Sequence, residues 1–336
     1  MKKAYSIFPV LALLTTACSN VLEYKSGQEP EVLVMNASLR TDETTHNVFL
    51  SISRLDETIP VEDAELRCFI NGEFVAEGIF SPEEYAFHAS RYNFDADIRP
   101  GDEVRLEARY GKLQAKATVT APKAAPLAAV DTARIECSQY YSFLGYEIPM
   151  LGCKLHLQDN PNQTDWYRLL VLYEADTPDR TDGTNDRRSI SFEYTRDPIL
   201  CDGNPPMQSV STSLFEITAA FIESDVYCTF RDIPFAGDAA EVEIEIHHNQ
   251  FAPHYSYNAD KDVWEEERVE NKRLRFDLLS ITKEEYDYLR QLSKQSDSDS
   301  GFNALFLREP IHIPVNVEGG LGFVSVASVS SRTISL

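Results

Sequence analysis

Glu241-Val-Glu-Ile-Glu-Ile-His247 alternates charged and aliphatic residues without a break. Successive side chains on a strand point to opposite faces, so this pattern demands a strand with one wet and one dry face. The alternation recurs along the chain. Val48, Leu50 and Ile52 carry it within 47–52, and the run from Val32 to Leu39 is apolar and strand-like. Val104, Leu106, Ala108 and Tyr110 alternate up to Gly111, and Leu113, Ala115, Ala117 and Val119 alternate back, which predicts a hairpin. Asn71-Gly72 after Ala64–Ile70 predicts another, because a type I′ turn needs positive φ at both central residues. Pro100-Gly101-Asp102 marks a further turn.

Short strands at this spacing predict a mostly β protein, with an immunoglobulin-like or transthyretin-like β-sandwich over 31–121. Ala121-Pro-Lys-Ala-Ala-Pro126 reads as a linker into a second β-rich domain, 127–336. Within that domain strands are expected at Ala133–Cys137, Gly152–Leu157, Trp166–Tyr173, Ser189–Tyr194, Pro310–Val317 and Phe323–Val329. One helix is expected late. Thr282 is its N-cap, Glu285 completes a capping box, Ile281 and Tyr286 form a hydrophobic staple, and Tyr286, Leu289 and Leu292 continue the buried stripe. No internal repeat has a fixed period.

The N-terminus carries an export signal. Lys2 and Lys3 precede a short apolar run, Ile7–Leu14, and the small residues Thr15, Thr16 and Ala17 lead directly to Cys18. Such a run is too short to cross a hydrocarbon core of ~30 Å as a helix. Residues 1–17 are therefore expected to be a lipoprotein signal peptide, Cys18 the lipidated residue, and 18–30 a polar tether. The formal net charge of −23 repels phosphate backbones and argues against nucleic-acid binding. Six cysteines are present, and export places them where disulfides persist. With Cys18 lipidated, Cys68 reads as a small buried hydrophobe. Cys137 and Cys153 flank an apparent hairpin and are expected to pair, leaving Cys201 for Cys228.

Candidate chemistry is sparse. Gly319-Gly320-Leu321-Gly322 lacks the following helix that a phosphate cradle needs and is expected to be a turn or bulge between strands. His247, His248 and His254 cluster, but adjacent strand residues face opposite ways and cannot easily share an ion. Asn258, Asp260 and Asp262 lack the glycine and the bidentate glutamate of a calcium loop. No nucleophile elbow or zinc spacing occurs, so no catalytic residue, metal site or cofactor is assigned. Tyr140, Tyr141, Phe143 and Tyr146 crowd the tip of the Cys137–Cys153 hairpin, either as a binding surface or as packing against the neighbouring sandwich.

Leu278–Leu289 and Phe306–Phe323 resemble the C-terminal signature of the domain of unknown function 4249 family of Gram-negative lipoproteins. Phe230–Gly237 and Asp197–Leu200 are similar to that family's middle segments, and Val324 departs from its usual pattern. The resemblance implies an outer-membrane lipoprotein with an immunoglobulin-like N-terminal part, often encoded beside TonB-dependent transporters. It supplies no catalytic residues. The expected role is a lipid-anchored accessory or binding protein in nutrient uptake, without enzymatic turnover. The alternative is a structural adhesin or fimbrial subunit of two sandwich domains, released by cleavage near Arg40.

Overall fold

The computed structural model describes residues 31–54, 57–82, 89–135, 149–161, 163–178, 185–194, 196–202, 227–251, 255–258, 263–299 and 313–336. Before the linker come β1 (Val32–Arg40), β2 (Thr45–Arg54), β3 (Glu57–Pro60), β4 (Glu65–Ile70), β5 (Glu73–Glu77), β6 (Ile79–Ser81), β7 (Ser90–Asp95), β8 (Glu103–Tyr110) and β9 (Leu113–Thr120). After it come β10 (Leu127–Ile135), β11 (Met150–Gln158), β12 (Trp166–Asp176), β13 (Asp186–Ser189), β14 (Thr229–Arg231), β15 (Ala239–His247), β16 (Tyr255–Asn258) and β17 (Val263–Glu266). The chain closes with β18 (Glu270–Ile281), helix α1 (Lys283–Asp299) and β19 (Val324–Ser335). The protein is mostly β, as its alternation requires. Both hairpins form: Asn71 and Gly72 take φ of 52° and 83°, and Tyr110 pairs with Leu113 across Gly111.

A ten-stranded sheet runs β13-β12-β18-β19-β1-β2-β7-β6, with β14 also on β12 and β3 on β2. Two smaller sheets, β5-β4-β8-β9 and β10-β11-β15, supply the other walls of two cores, while β16 and β17 pair with each other. In the first core, Leu33, Leu50 and Tyr92 of the long sheet meet Leu66 and Leu106 of the four-stranded sheet. Cys68 is fully buried there, and burial pushes its thiol up to about 11. In the second core, Tyr167, Val171 and Phe276 of the long sheet meet Leu155 and Ile244 of the three-stranded sheet.

The expected division at the linker does not divide the sheet. Ala121 lies in the first core and Ala125 in the second, but Val317, Val324 and Val326 return to the first. β19 makes the connection. Its first residues pair in parallel with β1 (Ala37 with Val324 through Arg40 with Ala327), and the rest pairs antiparallel with β18 (Ser328 with Ser280 through Ser335 with Arg273). Charges secure the junction. Arg40 Nη2 lies 2.5 Å from Oδ2 of the fully buried Asp277, and Arg275 bonds both Asp277 and Asp42. Burial opposes ionisation of Asp42, yet Arg40 and Arg275 hold its carboxyl below the usual range.

Gly319–Gly322 is the expected turn before a strand, and it also inserts against β1. Leu321 N donates to Leu33 O (3.0 Å), and Met35 N donates back to Leu321 O (2.9 Å). A Cβ at Gly320 would run into Leu33 O, and one at Gly322 into Met35 O. Glycine permits this backbone approach. The expected strand at 310–317 is not formed over its described part, 313–317. Pro314 has no N–H to give a ladder, and Asn316 uses its side-chain amide to bond both N and O of Val324.

Helix α1 begins as expected: Glu285 N donates to Thr282 Oγ1 at 3.1 Å, and Ile281 and Tyr286 share one apolar cluster. The reciprocal half of the capping box is absent. Glu285 turns inward towards Ser325 and Arg168, and the buried row is Glu285, Leu289 and Ser293 rather than the predicted Tyr286, Leu289 and Leu292. Burial raises the Glu285 carboxyl to about 7 from 4.5, against the opposing pull of Arg168 and Ser325. A folded-state value above the unfolded one contributes stability below about 4.5 that is lost as pH rises through 7. Glu285→Gln is therefore expected to gain stability relative to the native chain across that window, by an amount on the order of a few kcal/mol. Denaturant titrations at several pH values check this; a difference that stays constant with pH would contradict it.

Candidate functional site

The Glu241–His247 alternation becomes β15, whose Val242, Ile244 and Ile246 are buried while Glu241, Glu243 and Glu245 line the opposite face. β15 pairs with β11 so that Glu241, Glu243 and Glu245 stand beside His156, Lys154 and Gly152, and β10 brings Asp131 opposite Lys154. Gly152 has no side chain to fill its place, so the sheet surface dips there.

The wall over this floor comes from the chain after β13. β13 pairs with β12 at the edge of the long sheet, and Ile190 N then bonds Val171 O before the chain crosses to the three-stranded sheet. Glu193 exchanges backbone bonds with Glu245, its N–H donating at 2.7 Å and its carbonyl accepting at 2.9 Å. The expected strand at 189–194 is not formed as a ladder: β13 ends at Ser189, and beyond it Glu193 alone makes this bridge. Asp197 pins the wall down: Oδ1 accepts from the N–H groups of Ile199 (2.9 Å) and Leu200 (3.1 Å), and Oδ2 accepts from Glu243 N (2.8 Å). Floor and wall enclose a cleft of about 720 Å³. That lies within the usual range of small-molecule pockets, roughly 300–1,000 Å³.

Acidic side chains dominate the cleft. Asp131, Glu193, Asp197, Glu241, Glu243 and Glu245 line it against Lys154 and Arg196. Lys154 Nζ lies 3.4 Å from Glu241 and 3.2 Å from Glu243, and those two carboxylates raise its ammonium pKa. His156 reaches Asp131 at 2.9 Å and Glu241 at 3.3 Å. Arg196 Nη1 lies 3.1 Å from Glu245 Oε1, while Glu245 Oε2 is shielded from solvent without a hydrogen-bond partner. Burial raises the Asp197 carboxyl pKa, against the three N–H groups that favour its charge. Burial also pushes the thiol of Cys153, which faces the second core behind the cleft floor, up to about 12, which keeps it protonated near neutral pH. The arrangement suits reversible binding of a polar ligand.

Sequence reasoning identified the wet face of β15 but not its partners Asp131, Lys154, Glu193, Arg196 and Asp197. Cys18, Cys137, His254, Asp260, Asp262 and the aromatics at Tyr140, Tyr141, Phe143 and Tyr146 lie outside the described residues. Cys137 lies outside the described residues, and its expected partner Cys153 is a free thiol that stands opposite Thr132 in the β10–β11 register and turns into the second core. Cys201 and Cys228 are likewise not disulfide-bonded, and Cys201 Sγ instead points at the Tyr194 carbonyl, 3.7 Å away. His247 Nδ1 accepts from Asn249 N (2.9 Å), and the His248 ring meets the Phe251 ring edge-on. Among the described residues no group of three His, Cys, Asp or Glu is placed to hold a metal ion.

The chain is thus a mostly β protein with one long sheet shared by two cores and an acidic cleft on the outer face of a smaller sheet. It belongs to the domain of unknown function 4249 family, whose model matches residues 20–333. None of the curated proteins matches it.

Asp197→Ala removes the carboxylate that three backbone N–H groups share. The expected cost is about 1–3 kcal/mol, with faster hydrogen exchange at the Glu243 amide. An unchanged melting temperature together with unchanged exchange would contradict this role.

Proposed function

We propose that the protein is a lipid-anchored outer-membrane accessory that binds a ligand in this cleft and partners a TonB-dependent transporter in nutrient uptake. The cleft is the observation that carries the binding reading: it has the size of a ligand site, and its polar lining is held by backbone ladders. Family membership and the Lys2–Cys18 pattern support the location. No helix among the described residues is long and apolar enough to cross a membrane, and acylation at Cys18 is the proposed anchor. The same reading treats the N-terminal sheets as immunoglobulin-like and assigns the protein no turnover, no cofactor and no nucleic-acid partner.

The alternative, a fimbrial subunit matured by cleavage near Arg40, fits the junction less well. β1 is hydrogen-bonded on both sides inside the long sheet, and the Arg40 guanidinium is committed to Asp42 and Asp277. Cleavage there would sever the centre of the sheet.

Crosslinking in intact cells tests the proposal. The native chain is expected to incorporate labelled palmitate and to recover an outer-membrane β-barrel, whereas Cys18→Ser should lose both the label and most of the barrel. Recovery of the acylated chain without any barrel would overturn the transporter partnership.

A further inference from the structure

Resting on the reading of Cys18 as an acylated anchor, we infer that the outer face of β1-β2-β7-β6 is a membrane-contact surface, seated against the headgroup layer of the bilayer that holds the anchor. Three features support this seat.

The first is the apolar content of the face. Leu33, Met35, Val48, Leu50, Tyr92 and Phe94 turn into the first core, so the alternate residues of β1, β2 and β7 point outward. Helix α1 packs on the neighbouring part of the same outer face, where Leu289 meets Leu279, Ile281 and Ala327. Beyond it Leu321 stands beside Val34, Phe49 lies between Asn36 and Arg91, and Ile79 pairs with Asn93. Leu321 is 43% exposed, Phe49 38% and Ile79 73%. Asn47 and Asn93 pair between them. Apolar side chains spaced among amides suit the headgroup boundary, where one group can enter the acyl region while its neighbour bonds a headgroup.

The second is charge. Among the outward positions of β1, β2, β7 and β6 the only carboxylate is Asp95, which accepts from Thr45 Oγ1 at 2.7 Å. The whole chain carries 54 acidic residues against 31 basic ones. The other outer faces share that excess or mix the signs: the three-stranded sheet holds the acidic cleft, and the four-stranded sheet sets Glu65 and Glu107 among Arg67 and Arg109. A bilayer containing anionic lipid repels carboxylates within a Debye length, so this face approaches it at the lowest cost.

The third is where the anchor joins the fold. β1 begins at Val32, and Val32 and Val34 are the first residues of this face. Residues 19–30 connect it to Cys18. A chain of that length spans roughly 20 Å on average and about 40 Å at full stretch. The anchor therefore keeps the start of β1, and the apolar side chains beside it, within reach of the headgroups.

Bromolipid quenching of the acylated full chain tests the inference, in vesicles of phosphatidylethanolamine and phosphatidylglycerol with bromine near the headgroup end of the acyl chains. The emission added by Ile79→Trp is expected to fall about twofold in brominated vesicles. The emission added by Thr118→Trp, on the outer face of the four-stranded sheet, should not change. Adding Phe49→Ser and Leu321→Ser to the Ile79→Trp chain should remove the quenching while the chain still floats with the vesicles. Quenching that survives the serine pair, or is equal at positions 79 and 118, would show that the tether alone sets the distance and would overturn the seat. Absence of quenching in a floated chain of native circular dichroism would overturn it too, and a concentration-dependent blue shift at position 79 in that case would assign the face to a second copy of the chain. Those results leave the acyl anchor standing. A chain that does not float contradicts the anchor, and the seat falls with it.

Discussion

β19 has two partners from distant parts of the chain. Its first residues complete the edge of β1, and its remaining residues complete the edge of β18. A strand edge left open exposes a row of unpaired N–H and C=O groups. Without β19, the long sheet would part into two pieces at its middle, each with such an edge facing the other. The shared strand makes one sheet of two halves. The Gly319–Gly322 segment brings the chain to that position, and the Arg40–Asp277 and Arg275–Asp42 pairs lie across the junction. Asp277 is fully buried, so loss of either arginine would leave its charge poorly compensated away from solvent.

The cleft depends on this frame indirectly. The long sheet backs the second core, which fixes the dry face of β10-β11-β15 and thereby turns the wet face of β15 outward. The wall segment starts at β13, on the far edge of the same sheet, and ends on β15. Floor and wall are thus both referenced to the long sheet, though they are distant in sequence. Asp197 couples them directly by bonding its own loop and the Glu243 amide. The result is a polar surface whose carboxylates are positioned by backbone ladders rather than by long side chains.

Local physics was legible in the chain. The Asn71-Gly72 and Gly111 hairpins, the two-faced β15 and the Thr282 N-cap each follow from residues within a few positions of one another. What failed was non-local. Glu285 looks like half of a capping box, and its inward turn becomes visible only once Ser325 and Arg168 are known to face it. Pro310–Val317 has the composition of a strand, but Asn316 occupies Val324 with its side chain and the ladder does not form. Cysteine spacing suggested a bridge between Cys201 and Cys228, but the two are not disulfide-bonded, and the approach of Cys201 Sγ to the Tyr194 carbonyl cannot be read from spacing. Ala121–Pro126 looks like a boundary between domains, and only the return of β19 shows that one sheet runs past it. The acidic face of β15 was apparent, but a cleft needs Glu193, Arg196 and Asp197 as a wall, and that closure comes from the Glu193–Glu245 bridge and the Asp197–Glu243 bond between segments about fifty residues apart.

The central claim is that the two cores share one sheet through β19. Native-state hydrogen exchange on the full chain measures this most directly, because amides that open together report the same free energy. The account predicts that the β1 amides of Met35 and Ala37, bonded to Leu321 and Phe323, open in the same cooperative unit as the β18 amides facing β19. If the β1 amides stay protected after the β18–β19 ladder has exchanged, the halves are independent and the account is wrong.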